Sequence, residues 1–256
     1  MKKSLSLAFF SVLFISFFTS NAQKSVSKEM ENVKVIFLDV NETLLDLESM
    51  KASVSEALNG REDLMTLWFS KMLHYSLVSV SIDRYEDFGK IGVASLMMVA
   101  QNNGIELTEE QAKEAIIPPL LSLPAHPDVV DGLRKLKAKG YKLVTFTNSS
   151  YKGVATQLRN ANLEDLIEKQ LSTESVRSYK PFLETYQWAL DSMNLQPNQV
   201  LMAAAHGWDV AGAKEAGMKT AFIARPGKAL YPLVVKPDFV VKDFLELAEK
   251  MPSVGK

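Results

Sequence analysis

Val35-Ile36-Phe37-Leu38-Asp39-Val40-Asn41-Glu42-Thr43-Leu44-Leu45 is the stretch from which the fold can be read. Four apolar residues, Val35 to Leu38, run directly into Asp39. A short apolar run of this kind is the pattern of a strand buried on both faces, as in a parallel sheet. Such a strand delivers Asp39 to its C-terminal end, the edge where ligands bind in open α/β sheets. A carboxylate held there beside loop amides serves as metal ligand, as nucleophile, or as the cap of the next helix.

Beyond Leu45 the periodicity changes. Leu64, Leu67, Trp68, Met72, Leu73, Tyr75 and Leu77 recur at helical spacing, and a second helix is predicted over 85–101, stopped by Asn102-Asn103-Gly104. Thr108-Glu109-Glu110-Gln111 is a capping box opening a third helix, which Pro118 and Pro119 are expected to end. No strand is evident between 46 and 124. From Pro127 the chain alternates. Helix 128–139, closed by Gly140, precedes strand 142–147 and helix 151–160. A weak strand at 170–172 and a helix over 181–193 follow. Strand 200–204, helix 211–216 and strands 220–223 and 239–241 complete the pattern.

This alternation predicts an α/β fold: a Rossmann-like doubly wound parallel sheet, interrupted after its first strand by an all-helical insertion over its active edge. The core reads as 23–46 and 124–256, and the insertion as 47–123. The Met and aromatic stripes of the insertion read as packing rather than as a ligand site.

The first 22 residues read as a separate unit. Met1-Lys2-Lys3 is basic, 5–18 is apolar but for Ser6, Ser11 and Ser16, and Ser20-Asn21-Ala22 puts small residues before Gln23. This pattern predicts a signal peptide cut before Gln23, and so a periplasmic or secreted protein. No other long apolar stretch follows, so no membrane association is expected after cleavage. The formal charge is −1, and no basic excess points to nucleic acid. Cysteine is absent, which excludes disulfides, thiolate metal sites and a cysteine nucleophile.

Polar residues gather where successive strands are expected to end: Asp39, Asn41, Glu42 and Thr43; Thr147, Asn148 and Ser149; Lys180; His206 and Asp209. Four such clusters at one edge mark a site. Asp39-Val40-Asn41-Glu42-Thr43, Thr147-Asn148, Lys180 and Asp209 resemble the four motifs of the haloacid dehalogenase (HAD) superfamily, between residues 33 and 251. Tyr179-Lys180-Pro181 with Tyr186, and Trp208-Asp209-Val210-Ala211-Gly212-Ala213, resemble the type II L-2-haloacid dehalogenases. So do Leu67-Trp68, Lys71, Leu73 and Tyr75. The resemblance implies a HAD core under a helical cap, a short 2-haloacid as small-molecule substrate, and neither metal nor organic cofactor. A homodimer is compatible with it.

The resemblance also implies roles. Asp39 would attack the carbon bearing the halogen and become an alkyl ester. Lys180 would keep Asp39 ionised and aligned. Thr43, Thr147 and Asn148 would hydrogen-bond the nucleophile, the substrate carboxylate or the departing halide. Backbone amides after Asp39, from Val40 through Asn41, would hold the carboxylate. Tyr186 would orient Lys180, or else be simple core, and Asp209 would complete the charged set. Hydrolysis of the ester then needs an activated water. His206 is the best-placed histidine, where the best-known dehalogenases carry an Asn. Glu42 would hold one ring nitrogen while the other takes the water's proton, as in a type II subgroup with a His–Glu pair. A structural His206 is the alternative, and His74 and His126 read as structural or solvated.

Two other readings stand beside this one. Most of the superfamily are magnesium-dependent phosphatases, with an Asp two residues after the nucleophile and an acid about four residues before the last aspartate. Here those positions are Asn41 and Ala205, which weakens phosphoryl transfer to a small phosphate ester, although Asp39 and Asp209 could still offer a metal two carboxylates. The other is a non-catalytic periplasmic binding protein on a HAD fold, opposed by the intact Asp39 and Lys180. The type II enzymes also carry a cap arginine after the Leu-Trp pair. This chain has Phe69 there, leaving Asn148, Trp208 and Phe69 to meet the halide.

Overall fold

The computed structural model describes residues 30–255. The expected signal peptide over 1–22 lies outside the described residues. In chain order, β1 (Val35–Leu38) is followed by α1 (Lys51–Ala57), α2 (Met65–Ser81), α3 (Phe88–Asn102), α4 (Glu109–Leu121) and α5 (Val129–Ala138). Then come β2 (Lys142–Thr147), α6 (Tyr151–Asn160), β3 (Lys169–Ser172), α7 (Leu183–Asp191), β4 (Val200–Ala204) and α8 (Gly207–Glu215). β5 (Lys219–Ile223), β6 (Phe239–Val241) and α9 (Phe244–Lys250) complete the chain.

The six strands form one sheet in the order β3-β2-β1-β4-β5-β6. Every neighbouring pair is parallel. β1 is central and buried along its whole length, as its unbroken apolar run requires. Its residues alternate between layers. Ile36 and Leu38 pack with Leu133, Leu136, Phe244 and Leu247, whereas Val35 and Phe37 pack with Tyr186, Leu190 and Val210. The strand order reverses between β1 and β4. Loops from those two strands turn opposite ways and leave a crevice at their C-terminal ends.

The chain leaves this edge at Asp46 and returns at Pro124, and the two connections are tied together. Asp46 N–H donates to the Pro124 carbonyl at 2.8 Å, and His126 N–H to the Leu44 carbonyl at 2.9 Å. Helices α1 to α4 lie between them. Trp68 and Met72 of α2, Leu96 of α3 and Ile116 of α4 belong to the same apolar core as Leu38 and Leu44, so the insertion is packed onto the sheet edge.

Helix α4 departs from expectation. Its capping box forms: Thr108 Oγ1 accepts from Gln111 N–H, and the Gln111 side chain accepts from Thr108 N–H. Pro118 and Pro119, however, lie inside the helix, which continues to Leu121. The missing N–H of Pro119 leaves the Ala115 carbonyl without its helical donor. Ser53 Oγ donates to that carbonyl at 2.8 Å, and Ser122 Oγ donates to those of Pro118 and Pro119. Ser53 thus replaces the donor that Pro119 removes, whereas Ser122 caps carbonyls at the C-terminal end of the helix. Helix α8 starts at Gly207, four residues earlier than the periodicity suggests, directly after His206.

Candidate active site

β1 ends at Leu38, and Asp39 N–H donates to the Ala203 carbonyl of β4 at 3.1 Å, which fixes the carboxylate at the reversal of strand order. The side chain is only 7% exposed. Oδ1 accepts from Lys180 Nζ at 2.9 Å. Oδ2 accepts from Thr43 Oγ1 at 2.7 Å and meets His206 Nδ1 at 2.9 Å. Burial alone would raise the Asp39 carboxyl. Lys180, then His206 and Thr43, outweigh burial and hold it well below the usual carboxylate range.

Lys180 is buried between two carboxylates. Its Nζ donates to Asp39, to Asp209 Oδ2 at 2.5 Å and to the Phe146 carbonyl at 2.8 Å, one acceptor for each ammonium proton. Burial works against the charge, but Asp209 and Asp39 outweigh it and raise the Lys180 pKa. Asn148 sets the backbone below: its Oδ1 accepts from Lys180 N–H at 2.9 Å. Tyr186 Oη donates to Asp209 Oδ1 at 2.7 Å. Helix α8 approaches Tyr186 so closely that a Cβ on Gly212 would lie 2.6 Å from Tyr186 Oη.

His206 lies between two acids of one turn. Nδ1 meets Asp39, and Nε2 meets Glu42 Oε2 at 2.7 Å. Two aromatic rings stack with the imidazole, Phe69 (centroids 6.1 Å, planes 20° apart) and Trp208 (4.8 Å, 23°). Burial disfavours the imidazolium, but Asp39 and Glu42 override this and raise the His206 pKa to about 9. His206 is therefore protonated at neutral pH. The expectation of one ring nitrogen open to water is not met in this state, because a carboxylate occupies each. Glu42 reaches back through a left-handed backbone (φ 63°), a conformation costing a non-glycine residue about 1–2 kcal/mol. Burial would raise Glu42, but His206, then Lys228, lower it.

The result is a row of alternating charge: Lys228, Glu42, His206, Asp39, Lys180, Asp209. A divalent ion at Asp39 Oδ2 would have to displace His206 and Thr43. Among the described residues no three His, Asp or Glu side chains are arranged as a metal site. The donor set thus suits an ionised, cation-held carboxylate nucleophile better than a metal.

Residues 36–223 match the sequence pattern of the haloacid dehalogenase-like hydrolases. The chain belongs to the haloacid dehalogenase-like hydrolase family. It is 28% identical over 221 residues to the (S)-2-haloacid dehalogenase of Pseudomonas sp. (strain YL), covering 86% of this chain and 95% of that protein. It is 27% identical over 213 residues to haloacetate dehalogenase H-2 of Moraxella sp. (strain B), covering 83% and 95%. Its fold matches that of the L-2-haloacid dehalogenase from Xanthobacter autotrophicus with a TM-score of 0.79, at 24% identity, over 85% of this chain and 97% of that one.

Within this haloacid dehalogenase-like hydrolase, the expected side chains divide into three sets. Asp39, Thr43, Glu42, Lys180, His206 and Asp209 form one bonded cluster, with Phe69 and Trp208 stacked with the His206 ring. Tyr186 and Asn148 support that cluster: Tyr186 acts on Asp209 rather than directly on Lys180, and Asn148 clamps the backbone of Lys180. Thr147 and Asn41 are turned away from Asp39. Thr147 Oγ1 accepts from Ser149 N–H at 3.1 Å. Asn41 Nδ2 donates to Ser149 Oγ at 3.2 Å, and its Oδ1 accepts from Gln157 Nε2 at 2.9 Å. Val40 is buried, and its carbonyl accepts from Leu44 and Leu45 N–H, making the turn that brings Thr43 and Glu42 back. His126 Nε2 lies 3.3 Å from the Glu42 carbonyl, a structural position. Lys228 and Gln157 were not legible as site residues. The signal for Lys228 is positional only: it follows Pro226-Gly227, in the loop leaving β5 at the active edge.

Proposed function

We propose that the protein hydrolyses short 2-haloalkanoic acids to 2-hydroxy acids through an alkyl ester on Asp39. The observation that carries this reading is an ionised, buried Asp39 whose neighbour two residues on, Asn41, has no transferable proton and is tied to Ser149 and Gln157. A halide leaves with its electron pair and needs no proton. An alkoxide leaving a phosphate ester does need one. The dehalogenase relatives in sequence support the same choice.

In the first half-reaction an Asp39 oxygen attacks the halogen-bearing carbon from behind, and the carbon–halogen bond breaks onto the halide. L substrates are inverted and lead to D-2-hydroxy acids. Lys180 and Asp209 keep the nucleophile oriented and partly desolvated, which supplies the positioning a weak carboxylate nucleophile needs.

The second half-reaction makes use of the paired state of His206. Once Asp39 is an ester it carries no charge, and one of the two anions holding the imidazolium proton is gone. The pKa of His206 falls, and its proton passes to solvent. The neutral ring, still oriented by Glu42, takes a proton from the water that attacks the Asp39 carboxyl carbon. That proton goes to the departing hydroxy-acid oxygen; the second proton of the water, left on the Asp39 carboxyl, passes to His206, so the carboxylate and imidazolium are both restored and the net proton of the reaction is the one released to solvent.

The test is halide release from bromoacetate and chloroacetate by chelator-treated protein. The expected products are halide and glycolate in equal amounts, at a rate that chelator leaves unchanged. Activity confined to a phosphate ester and dependent on magnesium would replace this reading with the phosphatase one.

We also propose export, from the pattern of residues 1–22. No helix among the described residues is long and apolar enough to cross a membrane. N-terminal sequencing of protein from the soluble periplasmic fraction is expected to begin at Gln23; a start at Met1 in cytoplasmic protein would contradict it.

A further inference from the structure

Lys228 lies outside every motif and yet ends the row of charges at the site. Its Nζ pairs with Glu42 Oε1, the oxygen that His206 leaves free, and sits 5.7 Å from the ring centre of Phe69. Two local features deliver it. Lys228 N–H donates to the Arg225 carbonyl at 3.0 Å, closing a turn in which Gly227 has φ 74°. The chain then crosses the start of α8, where a Cβ on Gly207 would lie 2.6 Å from the Ala229 carbonyl oxygen and 3.0 Å from Tyr231 N. Only glycine at 207 permits that approach without a shift of the loop.

The charged groups around His206 come from four parts of the chain. Asp39 ends β1, and Glu42 lies on the turn after it. Lys180 precedes α7 and reaches across Asp39, with Asp209 of α8 behind it. Lys228 comes from the loop after β5. Phe69 and Trp208, stacked with the ring, are uncharged. Arg225, on the same loop as Lys228, is committed to Asp128 and the Thr43 carbonyl. His126 touches only the Glu42 carbonyl. Lys228 is thus the cation placed across Glu42 from His206, and it competes with the imidazolium for the same carboxylate.

We propose that Lys228 is a positioning residue that pins Glu42 and, by opposing the charge of His206, sets the pH at which the imidazole becomes free to act as base. Its part in turnover rests on the dehalogenase reading; its effect on His206 in the free protein does not. Without Lys228, His206 is the one cationic partner left to Glu42 among the described residues. The imidazolium is then favoured, and ester hydrolysis requires a higher pH. At the spacing of two cations sharing one carboxylate, the shift is about 0.5–1 pH unit.

The experiment compares Lys228→Met, Lys228→Arg and Gly207→Ala with the wild type by two readouts. The first is the titration midpoint of the His206 imidazole by NMR in free protein, identified by its loss in His206→Asn; there are three histidines in all. The second is the rate of ester hydrolysis after one round of bromoacetate, as a function of pH. The methionine variant is expected to raise the His206 midpoint and to move the acidic limb of hydrolysis upward by the same amount. Gly207→Ala should move both in the same direction, and arginine should restore the wild-type values. A midpoint that stays or falls in Lys228→Met, or an arginine variant no closer to wild type than methionine, overturns the proposal. A midpoint that shifts as expected in protein that releases no halide removes the dehalogenase reading and leaves the charge assignment standing.

Discussion

Asp39→Asn is expected to release no measurable halide, a loss on the order of 10,000-fold or more. The amide is a poor nucleophile, and no neighbour can replace it. Glu42 and Asp209 are each committed to cations, at His206 with Lys228 and at Lys180. Folding should survive, because the amide is isosteric and Lys180 keeps Asp209 and the Phe146 carbonyl. The buried ammonium nevertheless loses one of two counter-charges, and unpairing a buried charge typically costs about 3–5 kcal/mol. Halide release should therefore be measured alongside denaturant unfolding. A folded Asp39→Asn protein that still frees halide at an appreciable rate would mean that another group attacks carbon, and the ester mechanism would be wrong.

His206→Ala is expected to separate the two half-reactions. Asp39 remains ionised, since Lys180 and Thr43 still hold it, so one equivalent of halide leaves and the ester forms. The ester then persists, because loss of a positioned general base slows its step about 100- to 10,000-fold. Mass spectrometry after bromoacetate treatment should find added mass on the peptide carrying Asp39. An unmodified peptide with turnover lost, or turnover unaffected, would remove His206 from the hydrolytic step and leave water activated near Lys180 and Asp209 as the better account. The wild type adds a pH signature. Ester formation needs only the ionised Asp39, whose carboxyl titrates well below the neutral range, so the first-turnover burst of halide should be flat through neutrality. Hydrolysis needs neutral His206, whose pKa is raised to about 9 in the free protein and falls on esterification. Its rate should therefore climb with pH and level off below that value.

In the proposed mechanism, the paired state of His206 would let one residue serve both halves. With Asp39 anionic, the imidazolium is a second cation on the nucleophile, opposite Lys180. With Asp39 esterified, the same ring has lost the anion that kept it protonated. On this proposal the chemistry of the first step would prepare the base for the second, with Glu42 holding the ring in place.

Much of this molecule follows from the sequence by itself. The apolar run ending at Asp39 reports a buried parallel strand, because only such a strand has no solvent face to make polar. Strand–helix alternation reports the doubly wound sheet, and the change of period after Leu45 reports the helical insertion. Asp39 and His206 are visible because each directly follows a strand whose direction the pattern sets, and Lys180 and Asp209 because they fall in the motifs that resemble the haloacid dehalogenases. What the tertiary structure alone decided is which atoms of these residues meet. Pro118 and Pro119 read as helix breakers until Ser53, from α1, supplies a donor to the Ala115 carbonyl. Asn41 and Thr147 sit in the motifs but turn away from Asp39, because Ser149 and Gln157 offer them partners. Lys228 reaches Glu42 across 186 residues of chain, from a Pro-Gly turn with no periodicity to mark it. Periodicity encodes which face of an element is buried. A hydrogen bond or ion pair depends on distances of about 3 Å between side chains brought together by packing, and no local pattern carries that information.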